Sequence, residues 1–245
     1  MSFRENLGLK SYSFNEIEDN RAVAAAVKSC GVRGIDLSGS HVDYDDPTGQ
    51  EEVLAIYGEA GIRISGIGVV KLQNDQVFNR RFFDFAAKAG CKLVSASFLP
   101  EGHESILKSL EKFCEEYGLR VAIHNHGGKH WLGNSTILRY IFSRTSPLIG
   151  LCLDTAWCIQ AGEDPITWID AFGDRLYGVH LKDFRFDENG RHYDTILGEG
   201  TLDLPATIKR IADLYTPDSS FVIEYEGENP VEMSKRCVEA IDGVL

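Results

Sequence analysis

The chain has 245 residues, of which 43% are hydrophobic and 25% charged, with a formal net charge of -12. That mix supports a full core, and no apolar run approaches a membrane span, so disordered and membrane-spanning chains are excluded. An acidic surface without a Lys/Arg run also argues against nucleic acid as a partner.

The chain then alternates short apolar runs with amphipathic segments. "LGLKSYSF" (7–14) is the first strand candidate, and 15–31 a helix ending at Gly31. "RGIDLSG" (33–39) leads to a helix over 46–61, with Pro47 near its start and Gly61 at its end. "RISGIGVV" (63–70) and "KLVSASF" (92–98) are followed by helices ending at Gly90 and Gly118. "LRVAIHNH" (119–126) precedes a helix over 134–146, with Asn134 or Ser135 as N-cap. "IGLCLDTAW" (149–157), "LYGVHLKDF" (176–184) and "SFVIEYEG" (220–227) complete eight strands, with helices over 164–173, 202–215 and 229–242.

Strict β–α alternation implies a parallel sheet covered by helices. Eight such units in this length predict an α/β fold of one domain, 1–245, a single (β/α)8 TIM barrel. A doubly wound open sheet is the alternative, but the first strand runs into "SYSFNEIED", which carries no glycine-rich phosphate fingerprint. The six cysteines form no Cys-x-x-Cys pair and read as buried, reduced thiols. "MSFRENLGLK" lacks the apolar stretch of a signal peptide, so the expected location is cytoplasmic.

In such a barrel the chemistry lies at the C-terminal strand ends. The first four strands end in mostly small or uncharged residues, with Asp36, His41 and Lys71 nearby. The last four end in His124 and His126, then Asp154, then His180, Lys182 and Asp183, then Glu224 and Glu226. Residues two apart on a strand share a face, so His124 and His126 point one way, as do His180 and Lys182. If these faces look inward, His, Asp, His and Glu converge from four consecutive strands. Mixed His and carboxylate donors suit one divalent ion: Mn, Co, Fe or Zn, or Mg where oxygens dominate. Each residue also has a plainer reading. Asp154 before Thr155 reads as a helix or turn cap, Lys182 as a solvated loop residue, and Trp131 and Trp157 as wall packing. Glu224, flanked by Val222, Ile223 and Tyr225, needs a partner in either case.

These motifs, "AIHNHGG", "GLCLDTAWCIQAGEDP", "GVHLKDF" with "LGEGTLDLP", and "VIEYEG", resemble the xylose isomerase-like TIM-barrel family. That family includes sugar epimerases, hydroxypyruvate isomerase, inosose dehydratase and relatives of endonuclease IV. The resemblance implies a divalent metal held by Asp154, His180 and Glu224, with His124 standing where epimerases carry their first metal-binding Glu. His126 is the alternative ligand there. It further implies a carbohydrate substrate and a metal-dependent isomerase or epimerase working through an enediolate. Glu224 is then the base, and His124 or His126 returns the proton. Lys182 serves as a cation for a substrate oxygen, and Trp131 and Trp157 as stacking surfaces. The His-for-Glu replacement departs from the two-carboxylate relay of epimerases. It brings in a lyase or dehydratase acting on a keto-sugar or cyclitol as the alternative. A sugar-binding barrel without activity is the non-enzymatic reading. An abasic-DNA endonuclease is disfavoured by the charge. Oligomeric state is left open, including a homo-oligomer.

Overall fold

Gly-terminated helices alternating with short apolar strands close here into a barrel. The computed structural model describes residues 2–245. Eight parallel strands form it: β1 (Gly8–Lys10), β2 (Gly34–Leu37), β3 (Arg63–Leu72), β4 (Leu93–Phe98), β5 (Arg120–His124), β6 (Ile149–Asp154), β7 (Leu176–Leu181) and, after the antiparallel hairpin β8 (Asp183–Phe186) and β9 (His192–Thr195), β10 (Ser220–Ile223). The barrel closes where β1 pairs with β10, Leu9 opposite Ile223. The helices are α1 (Phe3–Asn6), α2 (Asn20–Ser29), α3 (Pro47–Glu59), α4 (Gln76–Ala89), α5 (His103–Tyr117), α6 (Ser135–Ser143), α7 (Thr155–Gln160), α8 (Pro165–Phe172), α9 (Leu204–Ala212) and α10 (Pro230–Asp242). Among the described residues no helix is long and apolar enough to cross a membrane.

Local chemistry explains the helix starts. The side chains of Asp19, Asp46, Asp75, Asn134, Asp164 and Asp203 each accept a backbone N–H from the first turn of the helix that follows. Each such cap is worth about 1 kcal/mol. Between helices and barrel lies the apolar core, in which Val27, Phe83, Leu110, Ile141, Trp168, Ile211 and Ile241 are fully buried. All six cysteines are buried and none is in a disulfide.

The barrel interior is partly polar. Lys10, the last residue of β1, places its ammonium against the Asp36 carboxylate and the Gly68 carbonyl. Asp36 also accepts the Ser220 hydroxyl at 3.0 Å, and Ser220 lies 2.8 Å from the Ser65 hydroxyl. Gly66 makes room for this pair, because a Cβ there would come within 2.6 Å of the Asp36 carboxylate.

Several strands are shorter than the sequence suggests. After Lys10 the first run turns into a 3-10 helix over Ser11–Phe14, and the Ser11 hydroxyl accepts the Ser38 N–H at 2.8 Å. The sixth run stops at Asp154, which caps α7. The fifth, seventh and eighth stop at His124, Leu181 and Ile223. In each case a side chain takes over where the ladder ends.

Candidate active site

The polar strand ends are positioned by side chains that replace the lost ladder bonds. Asn125, the middle residue of "HNH", is fully buried. It donates its amide to the Asp154 carbonyl at 2.9 Å and accepts the Asp154 N–H at 2.8 Å, tying β5 to β6. Thr155 ties β6 to β7 by donating its hydroxyl to the Lys182 carbonyl (2.6 Å) and accepting the Lys182 N–H (3.0 Å). Ser13 accepts the Tyr225 N–H at 3.0 Å and so ties β10 back to the β1 loop. A buried backbone group costs free energy unless it is paired, so these bonds hold the strand ends to one geometry.

That geometry brings His124, Asp154, His180 and Glu224 together, all buried, with one donor atom from each within 4.8 Å of every other. His124 Nε2 and His180 Nδ1 are 3.1 Å apart. Glu224 Oε2 lies 2.7 Å from His180 Nδ1, and Asp154 Oδ2 lies 3.8 Å from His124 Nε2. Asp154 Oδ2 has no hydrogen-bond partner, whereas Glu224 Oε2 meets the His180 ring alone. Asp154 divides its two oxygens: Oδ1 accepts the Trp157 N–H at 2.8 Å as the cap of α7, and Oδ2 faces the cluster. The cap reading and the cluster reading of Asp154 therefore hold together.

These spacings suit a single ion. Ligand bonds of about 2.0–2.2 Å place tetrahedral donors about 3.4 Å apart, within the range of the contacts seen here. Two nitrogens and two carboxylate oxygens form a donor set for Mn, Fe, Co or Zn. Burial, with His180 and His126 nearby, holds the His124 imidazole well below its ordinary pKa, in the neutral form that binds metals, whereas His180, despite burial, is held well above it by Cys152 and Glu224. Burial, with Glu224 nearby, pushes Asp154 up to about 7 against the pull of Lys182 and His180.

Lys182 is not the solvated loop residue of the plainer reading, since its side chain is 1% exposed. Its ammonium hydrogen-bonds Glu226 and lies near Asp194 and Glu224. Burial opposes its charge, but Glu224, Asp154, Glu226 and Asp194 raise its pKa overall, so it remains a cation.

His126 lies just past β5, beyond strand alternation, yet its ring packs 4.6 Å from that of His124. His130 follows at 4.9 Å from His126, forming a row that leads outward from the cluster. Burial, with His130 nearby, takes His126 down to about 4. Trp157 meets Phe184 and His192 edge-on at 5.0 and 4.9 Å. Trp131 packs against Phe98 and His103 and donates its indole N–H to the Phe98 carbonyl at 2.7 Å.

Several residues escaped sequence reasoning. Lys10 was hidden inside a strand candidate, although a lysine between Leu9 and Ser11 at a strand end is a signal of the same kind as Glu224. The pinning role of Asn125 and the hairpin residues Asp194 and His192 left no local signal. Asp183 was noted only as a strand-end acid. It accepts backbone N–H groups from Gly198, Gly200, Thr201 and Leu202 at 2.9–3.0 Å, anchoring the "GEGTL" loop.

Eight parallel strands with covering helices define a TIM barrel, and the cluster at the C-terminal ends of its last four strands could hold a metal ion. The family model for the xylose isomerase-like TIM barrel matches residues 24–242, and the chain belongs to that family. An inosose dehydratase of Lacticaseibacillus casei is 23% identical over 169 residues, 60% of this chain and 56% of that protein. The chain thus spans little more than half the length of this relative. Among solved structures, the probable 3-DHS dehydratase AsbF of Bacillus anthracis is similar at a TM-score of 0.77 and 15% identity, covering 97% of this chain and 98% of that one. A xylose isomerase-like TIM barrel protein of Mycobacterium smegmatis in complex with magnesium has a TM-score of 0.78 at 14% identity, covering 98% and 96%. At these identities the two structures show a shared fold.

Proposed function

We propose that the chain is a divalent-metal-dependent enzyme that removes a proton next to the carbonyl of a keto-sugar or keto-cyclitol and then expels a hydroxyl as water. The observation that carries this is the convergence of His124, Asp154, His180 and Glu224, all buried, with Asp154 Oδ2 left unpartnered. His124, Asp154, His180 and Glu224 would hold a divalent ion, which would supply Lewis acidity. Glu224, itself one of the four, accepts the carbon-bound proton. Lys182, a buried cation, meets negative charge that develops on substrate oxygen. His126, part-buried beside His124 and held neutral, relays a proton from water to the departing hydroxyl. The proton Glu224 takes returns to water, so the net change is loss of H2O alone. Trp157 closes one wall, and Trp131 lies further out beside Phe98.

His124 in place of a second glutamate favours elimination, as does the likeness to an inosose dehydratase. Isomerisation or epimerisation, the first expectation from the sequence, is the second reading, because it begins with the same proton removal. Incubating the Mn-loaded protein with keto-cyclitols and ketoses in D2O separates them. Elimination produces a conjugated enone, whereas isomerisation yields a product of unchanged composition with one solvent deuteron. Neither change with any such compound would refute both.

Substitutions at two positions test the roles. Asp154→Asn retains an oxygen for the Trp157 N–H and replaces the cluster-facing oxygen by an amide. Metal binding by calorimetry should be lost while the metal-free melting temperature stays within about 2 °C; Asp154→Ala, lacking the cap, should melt about 2–4 °C lower still. His126→Ala should keep its metal and lose about 10²–10⁴-fold in kcat, the usual contribution of one acid–base group. An unchanged kcat would remove His126 from proton transfer.

A further inference from the structure

Lys182 sits one residue past β7, and an ammonium has three N–H donors. Glu226 takes one of them. Asp194 at 3.7 Å and Glu224 at 3.9 Å lie beyond hydrogen-bond length, so they attract the charge without occupying a donor. Two donors remain. The rings of Trp157 and Phe184 stand 5.8 and 5.6 Å from the ammonium and close off other directions.

Asp194 is the charge that the β8–β9 hairpin contributes to this arrangement, and its place is set independently of Lys182. Its Oδ2 accepts the Glu226 N–H at 2.8 Å. The hairpin root is held by the four backbone N–H groups that Asp183 accepts. Its inner face is held by His192, stacked on Phe184 at 4.5 Å and edge-on to Trp157. Glu224 and Glu226 both follow β10 and Asp154 closes β6, so Asp194 is the one of these carboxylates that the hairpin supplies.

We propose that Asp194 is a positioning residue: from the hairpin it balances Glu224 and Glu226, and so holds the Lys182 ammonium with two donors free for substrate oxygens. This rests on the reading of Lys182 as a substrate-binding cation. The hairpin thereby becomes the element that sets which substrate oxygens the site accepts.

Asp194→Asn separates positioning from plain support, because the amide oxygen still accepts the Glu226 N–H while the charge is gone. The readout is the 15Nζ resonance of Lys182 in lysine-labelled, metal-loaded protein, assigned with Lys182→Arg. In Asp194→Asn it should shift, and its proton exchange should accelerate about tenfold. Metal stoichiometry should be unchanged and the melting temperature should stay within about 2 °C. With a turned-over substrate, KM should rise about tenfold and kcat change less than about threefold. Asp194→Glu should recover part of the resonance position. An unmoved Lys182 resonance overturns the proposal whatever the kinetics. So does joint loss of metal and thermal stability in Asp194→Asn, which would make the residue a support of the fold. Absence of turnover in the wild type refutes the enzymatic reading and leaves the positioning role to be decided by the resonance.

Discussion

His180→Ala and Glu224→Gln should purify without metal, where the wild-type chain carries about one divalent ion per molecule by elemental analysis. Each variant removes one of four donors that meet within 4.8 Å. Lewis acidity at a carbonyl is worth several kcal/mol, so turnover should fall by about a thousandfold or more, since each 1.36 kcal/mol is a factor of ten. Stability supplies a second readout that needs no substrate. Free metal at about 100 times its Kd adds about 2.7 kcal/mol to the folded state. For a chain of this length that raises the melting temperature by about 5–11 °C. The wild type should show this rise on titration with Mn or Co and lose it on chelation, and both variants should show neither. A wild type whose melting temperature ignores Mn, Co, Mg and Zn would refute the metal-site reading while leaving the barrel intact.

Lys10→Met and Asp36→Val should each destabilise the protein by about 3–5 kcal/mol, lowering the melting temperature by about 6–20 °C. The pair is enclosed, with side-chain exposures of 2% and 0%. Removing one member leaves the other as an uncompensated charge inside the barrel, a penalty much larger than the net worth of the pair. The double variant should therefore be more stable than the sum of the two losses predicts, by about 2–3 kcal/mol in a denaturant double-mutant cycle. Strict additivity would mean that the two charges do not depend on one another. Gly66 accommodates the Asp36 carboxylate, so Gly66→Ala should be destabilising in the presence of Asp36 and less so in Asp36→Val.

The candidate donors were legible because strand alternation is local. In "GLCLD", "GVHL" and "VIE" the polar residue ends an apolar run at the end where barrels of this type carry their chemistry. The same rule misled over strand length. Asp154 closes β6 and caps α7, and "TAW" is helical. His126 lies past the last ladder pair of β5, so its closeness to His124 comes from the loop and not from alternation. Lys182 carried two expectations, a cation for a substrate oxygen and a solvated loop residue, and its burial rules out the second. Between His180 and Asp183 it reads as a loop residue, yet it is enclosed by carboxylates from β9 and the chain after β10.

The sequence by itself determined the alternation of strands and helices, the caps that start the helices, and the four donors at consecutive strand ends. Each depends on residues within a few positions of one another. Only the tertiary structure decided that those donors face a common point and that Lys10 and Lys182 are buried cations with carboxylate partners. It also decided that a hairpin after β7 reaches the chain after β10. These features rest on bonds such as Asn125 to Asp154, Thr155 to Lys182 and Asp194 to Glu226, which join residues about 30 positions apart. Barrel closure brings such residues together, and no local periodicity records which of them will meet.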